Sequence, residues 1–190
     1  DGDDGDDDGG VGDDDDDDVD YLQNVAGGPP VVYLNVPSQE MKNVTQKLLE
    51  DGLPVWMGCD VGKQMHRERG LWDAKLFDFA ELYGTEFGMD KANRLRYSQT
   101  MMTHAMLFTG VDVVDGAPRR WRVENSWGAK KSGEEGFYTM NDSWYDEHMF
   151  EIAAPTDYLT EKMKKGLGTT PVVLPAWDPM GSLAKDEAAL

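Results

Sequence analysis

One histidine, one amide and one cysteine frame the chemistry this chain could carry. His104 stands at the head of an apolar run, HAMLFTGVDVV, and Asn125 stands at the end of the next run. Between them Asp115-Gly116-Ala117-Pro118 supplies the residue types of a turn. The spacing predicts strands over 105–113 and 119–127, joined by a turn centred near Val114 and Asp115. In that register His104 and Asn125 face each other on one side of the sheet, with Cβ atoms roughly 4.5–5.5 Å apart. An amide oxygen held against one ring nitrogen fixes the tautomer and leaves the other nitrogen free for a thiol. Such an imidazole takes the thiol proton and later returns it to a leaving amine. Taken alone, the pair is better explained as a histidine satisfied by a cross-strand amide in a barrel core.

Cys59 completes the chain order expected of a cysteine–histidine–amide site. It lies in PVWMGCDV, where Val55, Met57, Cys59 and Val61 share one face by period-two alternation. A reactive thiolate needs a helix N-terminus or a neighbouring cation, together with some exposure. A mid-strand position on an apolar face provides neither, so a buried structural cysteine is expected there. His66 sits in the charged run KQMHRER and reads as a surface residue. His148 follows a short helix expected over 142–147, with no cysteine or second histidine at zinc-ligand spacing. No metal and no cofactor is expected.

The elements that must position the pair follow from periodicity. Residues 31–36 form a short extended run stopped by Pro37, after which Ser38 is the expected N-cap with Glu40 in the first turn. Met41, Val44, Leu48 and Leu49 make one apolar helical stripe, and Gly52 and Pro54 end it. A strand over 54–61 comes next. Residues 62–100 give no firm boundaries, although 90–102 has helical character.

Charge is concentrated at one end. Of 37 Asp and Glu, 13 are aspartates within residues 1–20; the remaining 24 against 18 Lys and Arg leave −6 of the formal −19. The first 20 residues have almost nothing to bury and repel one another, so disorder is expected there. They match neither an EF-hand loop nor a stackable calcium-binding repeat. The rest has no basic patch for phosphates, which argues against nucleic acid. No run reaches the 18 or so apolar residues of a membrane span. One cysteine forbids an internal disulfide and fits a reducing, cytoplasmic setting.

His104-Ala105-Met106, Asn125-Ser126-Trp127-Gly128 and Gly136-Phe137-Tyr138 together resemble the C-terminal half of a papain-like cysteine peptidase. Two further stretches, PVWMGCDVGK at 54–63 and LPAWDPMG at 174–181, resemble the bleomycin hydrolase family in particular. The resemblance covers roughly residues 30–184. It implies an α+β fold, the β-rich lobe of a papain-like domain with an N-terminal helix, preceded by the acidic segment. Three parts are expected: 1–20, the lobe at 21–170, and a C-terminal arm at 171–190.

By the same resemblance His104 is the catalytic imidazole, Asn125 its orienting amide, and Trp127 a shield for their hydrogen bond. The implied activity is a thiol aminopeptidase acting on peptides, assembled as a homohexamer. The papain-type nucleophile lies roughly 130 residues or more before the histidine, which runs off the start of this chain. Residue 1 is Asp rather than Met. The expectation is therefore a C-terminal fragment whose nucleophile lies upstream and which is inactive alone. A truncated, non-catalytic paralogue serving binding or assembly is the alternative, and an acidic calcium-responsive module a weaker third. In the family the arm lies along the cleft and its carboxylate meets the substrate amine; here residues 185–190 extend past the usual end, so trimming is expected.

Overall fold

A computed structural model describes residues 16–19, 25–28, 31–130 and 133–181. In chain order the elements are β1 (Asp16–Val19), β2 (Val32–Leu34), α1 (Ser38–Glu50), β3 (Val55–Cys59), β4 (Met65–His66) and β5 (Leu71–Trp72). They continue with α2 (Phe79–Tyr83), α3 (Lys91–Arg96), β6 (His104–Val114), β7 (Ala117–Glu124) and β8 (Phe137–Asn141). The last are α4 (Asp142–His148), β9 (Met149–Ile152), α5 (Glu161–Gly166) and β10 (Val172–Leu174). Seven strands form one sheet in the order β4-β5-β8-β7-β6-β3-β9, and β10-β1-β2 form a second. This is the expected α+β arrangement. No helix of the described residues is long and apolar enough to cross a membrane.

Alternation decides which face of the large sheet carries the core. In β7, Trp121 and Val123 are buried while Arg120, Arg122 and Glu124 are exposed. In β3, Val55, Met57 and Cys59 are buried and Trp56 is exposed. Phe108, Trp121 and Tyr145 pack ring against ring, with centroids 5.0–5.6 Å apart. Met41, Val44 and Leu48 bring the apolar stripe of α1 onto this cluster. Truncating a residue as buried as Leu48 to Ala removes about 2–5 kcal/mol of stability.

The helix begins where it was expected, but its cap differs. Ser38 is the first helical residue, and the Pro37 carbonyl accepts from the N–H groups of Glu40 (2.9 Å) and Met41 (3.2 Å). With the first turn served by that carbonyl, the Ser38 hydroxyl is free to accept from Lys91 Nζ at 3.3 Å. Lys42 on the same helix is buried between Asp142 (2.6 Å) and Asp146 (2.7 Å) of α4, tying the two helices together. Residues 90–102 are helical only over Lys91–Arg96, where the Asp90 side chain caps the N–H of Asn93 at 2.7 Å.

Two expectations need correction. Disorder over 1–20 does not extend to its end: β1 pairs in parallel with β10 and antiparallel with β2. Backbone groups form a ladder without needing apolar side chains, so composition did not reveal it. Residues 1–15 and 20 lie outside the described residues. The β6–β7 register is also shifted from the predicted one, by two at both ends and by three over 110–112, between two bulges. Val114 pairs with Ala117, so Asp115 (φ 52°) and Gly116 (φ 81°) form the two-residue turn, and Leu107 pairs with Glu124. Positive φ at both central residues defines a type I′ turn, whose twist matches the strands and for which Asp-Gly is a preferred pair.

Candidate active site

His104 is the first residue of β6, and Asn125 is the first residue beyond β7. The corrected register means they are not ladder partners. They nevertheless meet: His104 Nε2 lies 2.9 Å from Asn125 Oδ1. The β7–β8 pairing brings this about, since Asn125 faces Gly136 one step past the Glu124–Phe137 pair. The Asn125 N–H donates to the Gly136 carbonyl (3.0 Å), which turns the amide back toward the start of β6. Asn125 is buried at 7 % exposure.

Hydrogen bonding at that amide settles the tautomer. Oδ1 also accepts from the backbone N–H of Ser126 at 2.8 Å. A backbone N–H can only donate, so this atom is the amide oxygen. His104 Nε2 must then carry the hydrogen it donates, and in the neutral ring Nδ1 keeps its lone pair. Nδ1 has no hydrogen-bond partner among the described residues. The imidazole is thus held at Nε2 with Nδ1 unengaged among the described residues.

Trp127 is the third member of the cluster. Its ring stacks on the His104 imidazole, with centroids 5.1 Å apart and planes at 30°. Tyr138 meets the indole edge-on at 6.2 Å, and the Arg67 guanidinium lies 4.8 Å from the indole centroid. The indole therefore lies against the imidazole that bonds Asn125. Arg67 was hidden in sequence within the run KQMHRER, where nothing marks it as facing an indole 60 residues away.

Cys59 stands opposite His104 in the β3–β6 ladder, yet its thiol is not addressed to the ring. Sγ donates to the His104 main-chain carbonyl at 3.6 Å, and the residue is fully buried. Burial, followed by the neighbouring Asp60 carboxylate, pushes the thiol well above its usual range. The nearest electrostatic influence is an anion, the opposite of what activates a thiolate. This is the buried cysteine the alternation predicts.

The other histidines are placed elsewhere. His66 is half-buried on β4 rather than on the surface, and its Nδ1 accepts from the N–H of Arg69 at 3.4 Å. His148 closes α4, packs on Trp144 and receives the N–H of Asp60 on its carbonyl. Burial, with Arg94, Lys63 and Lys91 nearby, lowers its pKa to about 3.

The segment after β10 returns to the site. The Met102 N–H donates to the Pro179 carbonyl at 3.1 Å, two residues before His104. Ala176 is buried at 3 %, and Asp178 Oδ1 accepts from the Met180 N–H at 2.9 Å. The arm therefore docks beside the start of β6; residues 182–190 lie outside the described residues.

Comparison with known proteins bears on these features. The model of the Peptidase C1-like family matches residues 16–181. The chain is 42% identical over 166 residues to aminopeptidase C of Listeria innocua, covering 87% of this chain and 37% of that protein. It is 42% identical over 171 residues to bleomycin hydrolase of Homo sapiens, covering 88% and 37%. The crystal structure of PepW from Lactobacillus rhamnosis superimposes with a TM-score of 0.84 at 40% identity, covering 88% of this chain and 38% of that one. The chain thus spans little more than a third of the length of the curated relatives it matches. The papain-like fold and the likeness to bleomycin hydrolase both hold, and a match over so much of the sequence gives the conclusion that this chain belongs to the Peptidase C1-like family.

Proposed function

We propose that this chain supplies the imidazole and orienting amide of a cysteine aminopeptidase of the bleomycin hydrolase kind. The observation that carries the proposal is the doubly bonded Asn125 Oδ1, which leaves His104 Nδ1 as the basic nitrogen. A thiol placed within about 2.6–3.2 Å of that nitrogen loses its proton to it and attacks the peptide carbonyl. The imidazolium then returns the proton to the leaving amine, while Asn125 holds Nε2–H throughout. Hydrolysis of the acyl-enzyme by water completes the cycle.

Cys59 is unsuited to be the thiol, since it is fully buried and its Sγ is bonded to main chain. The proposal therefore places the nucleophile on a polypeptide segment upstream of this sequence and expects no turnover from residues 1–190 alone. Peptides are the proposed substrates, a homohexamer the proposed assembly and the cytoplasm the proposed location. The docking of Pro179 beside Met102 supports the expected arm, whose described part lies beside the start of β6.

The test is His104→Ala in the complete protein, assayed on aminoacyl coumarin amides. The expected result is loss of turnover with an unchanged circular dichroism spectrum. Turnover retained by the folded variant refutes the assignment.

A further inference from the structure

Trp127 makes a second contact that shielding a histidine does not require. The guanidinium of Arg67 lies 4.8 Å from its ring centroid. Arg67 is exposed, and it has no ion-pair partner among the described residues. Its backbone is held firmly all the same. The Arg67 carbonyl accepts from the N–H groups of Gly70 and Gly133, both at 3.1 Å, which joins the β4–β5 turn to the loop after Trp127. A Cβ at Gly70 would lie 2.5 Å from the Gly133 Cα, so the two loops touch backbone to backbone. An exposed cation is thus held at a set place next to the imidazole's stacking partner.

We infer that Arg67 binds a carboxylate on the leaving side of the scissile bond and so biases which peptides are cleaved. The inference rests on the catalytic reading of His104. The leaving nitrogen must come within hydrogen-bond reach of His104 to take the proton. The polypeptide beyond that nitrogen therefore starts at the imidazole. The guanidinium lies no farther from the imidazole than its distance to Trp127 and the Trp127–His104 distance combined. About three extended residues, at roughly 3.5 Å each, cover that span.

A guanidinium resting over an indole keeps the N–H donors of its own plane available as a fork for a carboxylate. Two sources supply that group: an acidic side chain shortly after the cleaved bond, or the free C-terminus of a very short peptide. The chemistry is the same in both.

The experiment uses the complete protein and the variants Arg67→Gln and Arg67→Lys. One substrate pair is a tripeptide amide with glutamate after the cleaved bond and its glutamine counterpart. The other is a dipeptide and its C-terminal amide. The ratio of kcat/KM for acid over amide is expected to fall about fivefold in R67Q for at least one pair at low salt, with R67K keeping part of it. The effect is expected to vanish near 0.5 M salt, where the Debye length drops to about 4 Å.

The pair that responds identifies the source of the carboxylate. Equal losses on acid and amide assign Arg67 to holding Trp127 and overturn the inference, as does no change in either ratio. A complete protein that turns over no peptide refutes the aminopeptidase reading instead. Calorimetric binding of the glutamate tripeptide amide then tests Arg67 directly, and equal affinity in R67Q overturns it.

Discussion

His104 Nε2 and Asn125 Oδ1 lie 2.9 Å apart although the β6–β7 ladder does not pair their residues. The ladder ends at Glu124, and Asn125 is set by its own N–H bond to the Gly136 carbonyl. That bond continues the β7–β8 register, in which Glu124 faces Phe137, so the amide's position depends on β8 as well as on the β6–β7 hairpin. Held in line with β8, the amide approaches the imidazole diagonally.

Asn125→Ala in the complete protein is expected to lower kcat/KM by about 100-fold, because the ring loses its orientation and its preferred tautomer. Asn125→Asp keeps an acceptor for Nε2–H, so activity is expected to fall less than in Asn125→Ala. Steady-state kinetics across pH 5–9 measures both. Equal kcat/KM in wild type and N125A contradicts the orienting role.

Cys59→Ala is expected to retain turnover and to lose about 1–2 kcal/mol of stability through a small cavity. With its pKa pushed up and no exposure, the native thiol is also expected to react with a disulfide reagent only after unfolding. Residues 1–190 alone suffice for the thiol titration, in native buffer and in urea. Rapid labelling of the folded chain refutes the buried assignment.

Lys42 is 4 % exposed, with Asp142 at 26 % and Asp146 at 49 %. Its ammonium also lies 5.6 Å from the Tyr145 ring centroid. Lys42→Met leaves Asp142 without its nearest cation, although Trp121 Nε1 still donates to it at 3.0 Å. Given that remaining bond and partial exposure, a loss of about 2 kcal/mol is expected, below the range for breaking a fully buried pair. The double variant with Asp142→Asn is expected to recover part of it. Urea denaturation of both variants checks the prediction, and additive losses overturn the pairing.

His148 makes stability fall toward acid. Its pKa is lowered from 6.5 to about 3 by burial and by Arg94, Lys63 and Lys91. Below pH 6.5 the unfolded chain takes up a proton that the folded chain refuses down to about pH 3. The contribution is therefore complete above the unfolded value and declines as pH drops, by about 1 kcal/mol per pH unit across that window. His148→Phe removes this slope, which urea midpoints at several pH values between 4 and 7 measure. An unchanged slope in the variant contradicts it.

The sequence determined most of what depends on local pattern. The period of Met41, Val44 and Leu48 marked α1, and alternation placed Cys59 on the core face. The residues HAM, NSWG and LPAWDPMG carried the family. Register was not decided by pattern, because a shift of two preserves every side chain's face and only the turn's φ angles select among such registers. The Asp16–Val19 strand was equally unreadable, since its pairing is made by backbone to segments far along the chain.

Tertiary structure alone brought Arg67 onto Trp127, seated Lys42 between two carboxylates and docked Pro179 on Met102. Each contact joins residues 60 or more positions apart, where no local rule reaches. His104 and Asn125 show both halves of the division. Their types and order were legible from residues alone, but the 2.9 Å bond between them depends on strand registers that only the fold sets.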